Sequence, residues 1–526
     1  MPAVESNVNS CRSMLSAVLV GYPVPQMINW QRRWSNEVGD EGGDEYGYLK
    51  GALRALEGFG WERDDDLVLL VSGYDVWFQL RPQVLIDRYR RIIKDANQRT
   101  RKDLGEGAPN ITNSIIFAAQ KECSEGVDDL GCYAAPESPL PTDIYGSNTD
   151  TEAAMSRPRY IQSEMAMGPL VEMREFLRHA VNKWRAKPDK FEDLQAVFAD
   201  IYGEQEYRRE VIRSQHMSQL QQLSSWFFKS QSILESHPLN IEKKDDICEY
   251  GLTLDYEGQL GKVTDYPDSD WILYADANSV VAAAKNVNAN PVGGLMIQSD
   301  IESSRPPFFS LASIEKDLDL PREMAWENIS LFSNAWTGVT PALIYHNTSN
   351  SDKASFGDSW KRLWFQPYAR TLLRAHARAP SLPVASEMLS PRTEKAWWDI
   401  VQTTPIDKSN VGFGVTDHDQ GGTGAWMKWT DICSEEHQKA VFADDGPKWE
   451  DPVEFPPFPD MHPEWAEEAK KKEEEEAEAA RKKQEEEAEA AKKKTEEEEA
   501  EAAKKAAEEQ QGDSNPNHWE DVSGTG

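Results

Sequence analysis

The chain has 526 residues and a formal net charge of −34, with 91 acidic side chains against 57 basic ones. That length exceeds an ordinary single domain, and the acid excess argues against nucleic acid or anionic membrane surfaces as partners. No apolar run in the sequence approaches the roughly 20 residues that a membrane-spanning helix needs.

In chain order, residues 1–15 read as a disordered leader, and the apolar stretch at 15–20 is too short for the core of a signal peptide. The run AVLVGYP at 17–23 reads as an opening strand. Asp64, Asp65 and Asp66 form a solvated turn ahead of Leu67–Val71, a continuous apolar run of strand length followed by Ser72 and Gly73. Such a run is expected to be buried on both faces, as in a parallel sheet covered by helices. It leads to Asp75, then Val76, Trp77 and Phe78, and Pro82 suits the first turn of a helix over 83–97. A carboxylate just past the carboxyl end of a buried strand lies where open α/β sheets bind ligands. The alternative is that Asp75 only caps the following helix.

Further helices are expected over 170–184 and over 191–201 continuing into 204–222, with a strand at 271–274. Strands alternating with helices from 16 to about 210 point to βα units and an α/β fold. Residues 376–463 are rich in Pro and Trp and read as an accessory lobe. The 18 Trp and 16 Tyr of the chain supply core volume first and sugar-stacking surfaces second. The five cysteines imply no disulfide framework. Cys123 and Cys132 bracket a short loop and suit either a disulfide or two free thiols, whereas Cys11, Cys248 and Cys433 are expected to be unpaired. Sequons occur at Asn110, Asn328 and Asn347, a number close to chance for this length.

Residues 464–511 are almost entirely Glu, Lys and Ala, with AEAAR at 477–481 and AEAAK at 488–492 and 500–504. These are strong helix formers, with Glu blocks ahead of Lys blocks so that i,i+4 pairs form. No Leu or Ile marks a heptad seam, so the stretch reads as a single solvated helix, about 70 Å long at 1.5 Å per residue. Residues 512–526 read as a disordered tail.

Several blocks, in order, give the body a family likeness. They are AVLVGYP at 17–23, the segment around Asp75, SIIFAAQK at 114–121, PESPLPTDIYGSNTD at 136–150, IYGEQEYRRE at 201–210, GLTLDYEGQL at 251–260, His346 with Asn347, and WKRLWFQPYARTLLR at 360–374. Together they make residues 16–375 resemble the glycosyltransferase domain of the procollagen lysyl hydroxylases and its fungal relatives. The resemblance implies a GT-A-like nucleotide-sugar transferase fold with a mostly parallel central sheet, a UDP-sugar donor, an acceptor the sequence does not name, and Mn²⁺. It implies Asp75 and His346 as metal ligands, and Ser72, Trp77, Gln162, Ser163, Asp193, Gln195, Asp255 and Asn347 around the nucleotide sugar. It also implies the secretory pathway, whereas the sequence as read, without leader or anchor, implies the cytoplasm.

The departures are as specific as the matches. Ser72 stands where the family's D-x-x-D motif has its first Asp, and Ile161-Gln162-Ser163-Glu164 stands for L-N-S-G. Leu194-Gln195 replaces a D-Q pair, with Asp193 one residue earlier, and Thr348 replaces the Gly of an H-x-N-G-like loop. Losing a carboxylate removes charge that a hard divalent cation requires, so a catalytically inactive scaffold is the alternative to a weak or altered transferase. No hydroxylase is expected, because His418-Asp419-Gln420 does not supply the H-x-D of an iron facial triad.

The charged stretch is acidic overall and suits basic partners, but it has no apolar stripe to bury. Truncation after Pro463 should therefore change the stability of the body by no more than about 0.5 kcal/mol. Urea unfolding of the full and truncated chains measures this, and unfolding of the truncated body would move the boundary.

Overall fold

The computed structural model describes residues 5–30, 45–105, 109–124, 126, 128–216, 249–263, 271–275, 297–308, 320–321, 324–334, 336–346, 358–378, 414–416, 426–444 and 446–447. The chain divides into two units, Met1–Phe455 and Pro456–Gly526, and every described residue belongs to the first. The charged stretch 464–511, the tail 512–526 and most of 376–463 lie outside the described residues.

The chain opens with helix α1 (Val8–Val20), strand β1 (Gln26–Met27), α2 (Glu45–Glu57), β2 (Leu67–Val71), β3 (Val76–Phe78) and α3 (Pro82–Leu104). It continues through β4 (Ile115–Gln120), α4 (Leu130–Tyr133), β5 (Tyr160–Pro169), α5 (Leu170–Ala186), α6 (Leu194–His216), β6 (Leu252–Asp255), β7 (Gly261–Val263) and β8 (Trp271–Ala275). Then come α7 (Ser299–Glu302), β9 (Leu331–Asn334), β10 (Leu343–Tyr345), α8 (Ala369–Arg378), β11 (Gly414–Thr416), β12 (Trp426–Met427), α9 (Trp429–Ile432) and α10 (Glu435–Phe442).

The first expectation to fall is the opening strand at 17–23, together with the disordered leader. Residues 8–20 form a helix whose last eleven residues are all buried. The Asn7 side chain accepts the N–H groups of Asn9 and Ser10, each at 2.9 Å. At the other end, Gly21 takes the left-handed conformation (φ +92°) that closes a helix. A short apolar run carries no period of its own, and these caps decide it as helix.

The central sheet runs β2-β5-β4-β6 and is mixed. The β2/β5 and β5/β4 pairs are antiparallel, and only β4/β6 is parallel. The mostly parallel sheet is thus not observed. Leu67–Val71 is a strand as expected, but it sits at the sheet edge and its first four residues are only half-buried. Its alternate side chains still reach two cores: Leu67 and Leu69 pack on one, Val68 and Leu70 on the other. Full burial on both faces belongs instead to β4, where Ile116 and Ala118 enter one core while Ile115, Phe117 and Ala119 enter the other. Helices α2, α5 and α6 contribute to the second core.

Helix α3 starts at Pro82 and runs past the expected end at 97, to Leu104. Helix α6 is continuous through Gly203, and a glycine is required there. A Cβ at that position would lie 2.6 Å from the backbone of Leu130 in α4.

A second sheet, β3-β10-β7, pairs Val76 with Tyr345 and Phe78 with Leu343 in antiparallel register, and Leu343 with Gly261 in parallel register. Two small sheets complete the set, β1-β11-β12 and β8-β9. The described part of the expected accessory lobe is built into the body, since Met427, Trp429, Ile432, Val441 and Phe442 share the core of α1. Cys11 is bonded to Cys433, with Cα atoms 5.2 Å apart, and Cys123 to Cys132, at 5.7 Å. The expectation that Cys11 and Cys433 are unpaired is therefore overturned. They are 422 positions apart, and sequence spacing carries no signal for a pair made by packing.

One buried cation binds the second sheet to α3. The Arg88 side chain is fully buried and donates to Asp300 (2.8 Å), Gln298 (2.7 Å) and the carbonyls of Gln259 (2.7 Å) and Thr340 (2.6 Å). Arg88→Ala should cost about 3–5 kcal/mol, because it strands Asp300 and two buried carbonyls. Removing Arg178, whose pair with Glu57 is nearly half exposed on both sides, should cost less than about 1 kcal/mol. Urea midpoints of the two variants test the contrast.

Candidate functional site

Among the candidates, Ser72, Asp75 and His346 are brought together where the sheet β2-β5-β4-β6 meets the sheet β3-β10-β7. Strand β5 bulges there. Phe117 pairs with Ala166, but the next residue, Ala118, pairs with Gln162, so Ser163, Glu164 and Met165 are skipped in the β4 ladder. Bulges of this kind re-aim side chains near sites. On the opposite side of β5, the Ser72 N–H donates to the Glu164 carbonyl at 3.3 Å.

Asp75 and His346, 271 positions apart in sequence, are brought together by the β3/β10 pairing. The His346 N–H donates to the Asp75 carbonyl at 2.8 Å. The hydroxyl of the neighbouring Tyr345 donates to the Glu164 carbonyl. Ser72, Asp75, Glu164, Tyr345 and His346 thus form one cluster. Burial, with the negative charges of Glu164 and Asp75 adding, holds the Tyr345 hydroxyl well above its ordinary pKa. The Ser72 hydroxyl accepts the Tyr74 N–H at 3.4 Å, which fixes the turn between β2 and β3.

The imidazole of His346 is enclosed rather than presented. It is 7% exposed and lies with its ring centroid 4.0 Å from that of Trp77. Trp77 is itself 0% exposed and packs edge-on to Trp360 at 5.2 Å, so it is a core residue and not a pocket wall. The Arg12 guanidinium stands over Trp360 at 5.6 Å. Burial, and secondarily the charge of Arg12, pushes His346 down to about 3, so its ring is neutral at ordinary pH. Neutral imidazole suits a metal, but a nearby guanidinium does not. Among the described residues, no group of three His, Cys, Asp or Glu side chains is placed to hold a metal ion. An enclosed imidazole with the half-buried Asp75 and the exposed Glu164 is a poor donor set for Mn²⁺, which prefers several oxygens.

The remaining candidates have structural partners. Gln195 holds the bulge from both ends of its amide, donating to the Ile161 carbonyl (2.9 Å) and accepting the Ser163 N–H (2.8 Å). The Gln162 side chain accepts the Glu164 N–H at 3.1 Å. Asp193 caps α6 by accepting the Ala196 N–H at 2.8 Å. Asp255, at the end of β6, accepts the N–H groups of Gln259 (3.0 Å), Leu260 (2.6 Å) and Gly261 (3.4 Å), and so builds the turn into β7. Asn347 lies outside the described residues. Sequence reasoning missed Arg12, because residues 1–15 read as a leader. The Asn7 cap followed by the left-handed Gly21 is the signal that would have placed it on a helix.

No family model matches the chain, and no curated protein matches it. A cleft of about 90 Å³ lies elsewhere, lined among others by Arg99, Tyr202, Glu206, Arg209, Arg213 and Tyr256, and contains none of the candidate residues. Its floor is a closed ion network. Arg209 pairs with Glu206 (2.9 Å) and Glu249 (2.6 Å), which leaves Arg209 no unmatched charge to offer a ligand.

Asp255 gives a pH test of its structural role. Burial raises its carboxyl to about 6, against the opposing pull of its backbone donors. Between the ordinary carboxylate value near 4 and about 6, the folded chain therefore holds a proton that the unfolded chain has released. This group makes stability fall as pH rises through that window. Asp255→Asn should flatten that part of the profile and cost about 1–3 kcal/mol for the lost acceptor. Urea unfolding from pH 4 to 7 reads both effects.

Proposed function

We propose that this chain is a glycosyltransferase-like protein of the lysyl hydroxylase glycosyltransferase type that has lost metal-driven transfer and acts as a binding or scaffold protein. The observation that carries this reading is the enclosure of His346. Its ring packs at a tilt against Trp77 and feels the charge of Arg12, while Ser72 stands where a first metal carboxylate is expected. The edge position of β2 and the mixed sheet also depart from the GT-A pattern that the likeness implies.

A second reading, a working UDP-sugar transferase, is favoured by the convergence of Asp75 and His346 from distant parts of the chain. In such enzymes a divalent cation neutralises the leaving diphosphate, which requires anionic ligands. Asp75 and Glu164 are the two carboxylates of this cluster, and the acceptor has no signature in it.

Calorimetry with UDP, with and without Mn²⁺, separates the readings. The proposal expects UDP binding that Mn²⁺ does not strengthen. It further expects the double variant Ser72→Asp with Glu164→Gly to gain about tenfold in Mn²⁺-dependent affinity, equivalent to about 1.4 kcal/mol. Asp at 72 keeps an oxygen for the Tyr74 N–H, so the turn should survive. Turnover of a UDP-sugar by the unaltered chain at about 1 s⁻¹ or faster would overturn the inactive reading. Absence of UDP binding at millimolar concentration would remove the nucleotide from both.

A further inference from the structure

Two disulfides and two solvent-facing asparagines bear on where this protein is made. Four of its five cysteines are paired. Both Cα separations, 5.2 and 5.7 Å, fall within the range that a disulfide requires. The two pairs are independent, one joining α1 to the chain just after α9, the other closing a short loop around α4. Cytosolic chains keep their thiols reduced, whereas structural disulfides belong to oxidising, extracytoplasmic compartments.

The sequons gain weight in that setting. Their number alone is uninformative, but their placement is not. Asn110 and Thr112 are both exposed, in the irregular connection between α3 and β4. Asn328 is exposed at the end of the short turn Trp326–Asn328, and the buried Ile329 that follows holds the segment in place. Neither asparagine's side-chain amide has a hydrogen-bond partner among the described residues. An attached glycan would project into solvent at either site without displacing a side-chain hydrogen bond among the described residues. The third sequon, at Asn347, lies outside the described residues.

We propose that this chain matures in an oxidising, extracytoplasmic compartment and carries N-linked glycans on Asn110 and Asn328. In the modification, the side-chain nitrogen of each asparagine bonds to the anomeric carbon of a lipid-diphosphate-linked oligosaccharide. The bond from that carbon to the diphosphate oxygen breaks, the oxygen keeps the electron pair, and the amide proton passes to a base of the host transferase. This inference is independent of whether the chain binds a nucleotide sugar.

The test uses the full-length protein isolated from its natural source without reductant. Maleimide labelling after denaturation should find one thiol per chain before reduction and five after it. Treatment with an amidase that releases N-glycans should speed gel migration and convert residues 110 and 328 to Asp, a gain of about 1 Da each by peptide mass spectrometry. Asn110→Gln and Asn328→Gln should each remove one step of that shift. Both positions are exposed, so the variants should fold, and unchanged urea midpoints check this. Five reactive thiols without reduction would overturn the compartment assignment. Unmodified asparagine at both positions would overturn the glycans.

Discussion

The second sheet depends on one buried guanidinium. Arg88 projects from α3 and gathers three segments that sequence keeps far apart: the turn before β7 through Gln259, helix α7 through Gln298 and Asp300, and the approach to β10 through Thr340. A fully desolvated charge tolerates little displacement, because each lost donor leaves an unpaired group in a low-dielectric interior. Gln79 does the same from the end of β3, with its amide donating to the Phe332 and Pro341 carbonyls and accepting the Phe332 N–H. These polar anchors fix the register of β3 against β10, and that register sets Asp75 beside His346.

The same packing shapes the chemistry open to the cluster. The aromatic pair Trp77 and Trp360 behind His346 is fully buried, and Arg12 brings positive charge to its far end. A histidine held this way is a packing element first. The backbone carbonyls of the acidic residues near it, Asp75 and Glu164, accept from His346, Ser72 and Tyr345.

Much of this was legible in the sequence, and the failures have physical causes. Pro82 announced the start of α3, and the apolar run at 67–71 announced a strand. Whether that strand is central or at an edge depends on its neighbours, which a five-residue run does not encode. The helix at 8–20 was misread because its apolar end looks like a strand when taken alone; Asn7 and Gly21 were the informative residues. For the candidate site, it was the family resemblance, and not any pattern of the residues themselves, that grouped Asp75, Gln162, Gln195 and His346. It did not disclose that Gln195, Asp193 and Asp255 have their hydrogen-bonding capacity committed to backbone N–H and carbonyl groups, because such partners are made by tertiary geometry.

The burial of α1 has a consequence for synthesis. This helix packs against β3, α8 and α10, and its Cys11 meets Cys433. Helix α1 therefore waits for a partner that lies 422 positions later in the chain. At about 5–20 residues per second, that interval is roughly 20–80 s. Throughout it, a helix whose last eleven residues are buried in the finished body lacks part of the surface that covers it. Until Cys433 and the helix after it are made, α1 is the segment that most needs a chaperone.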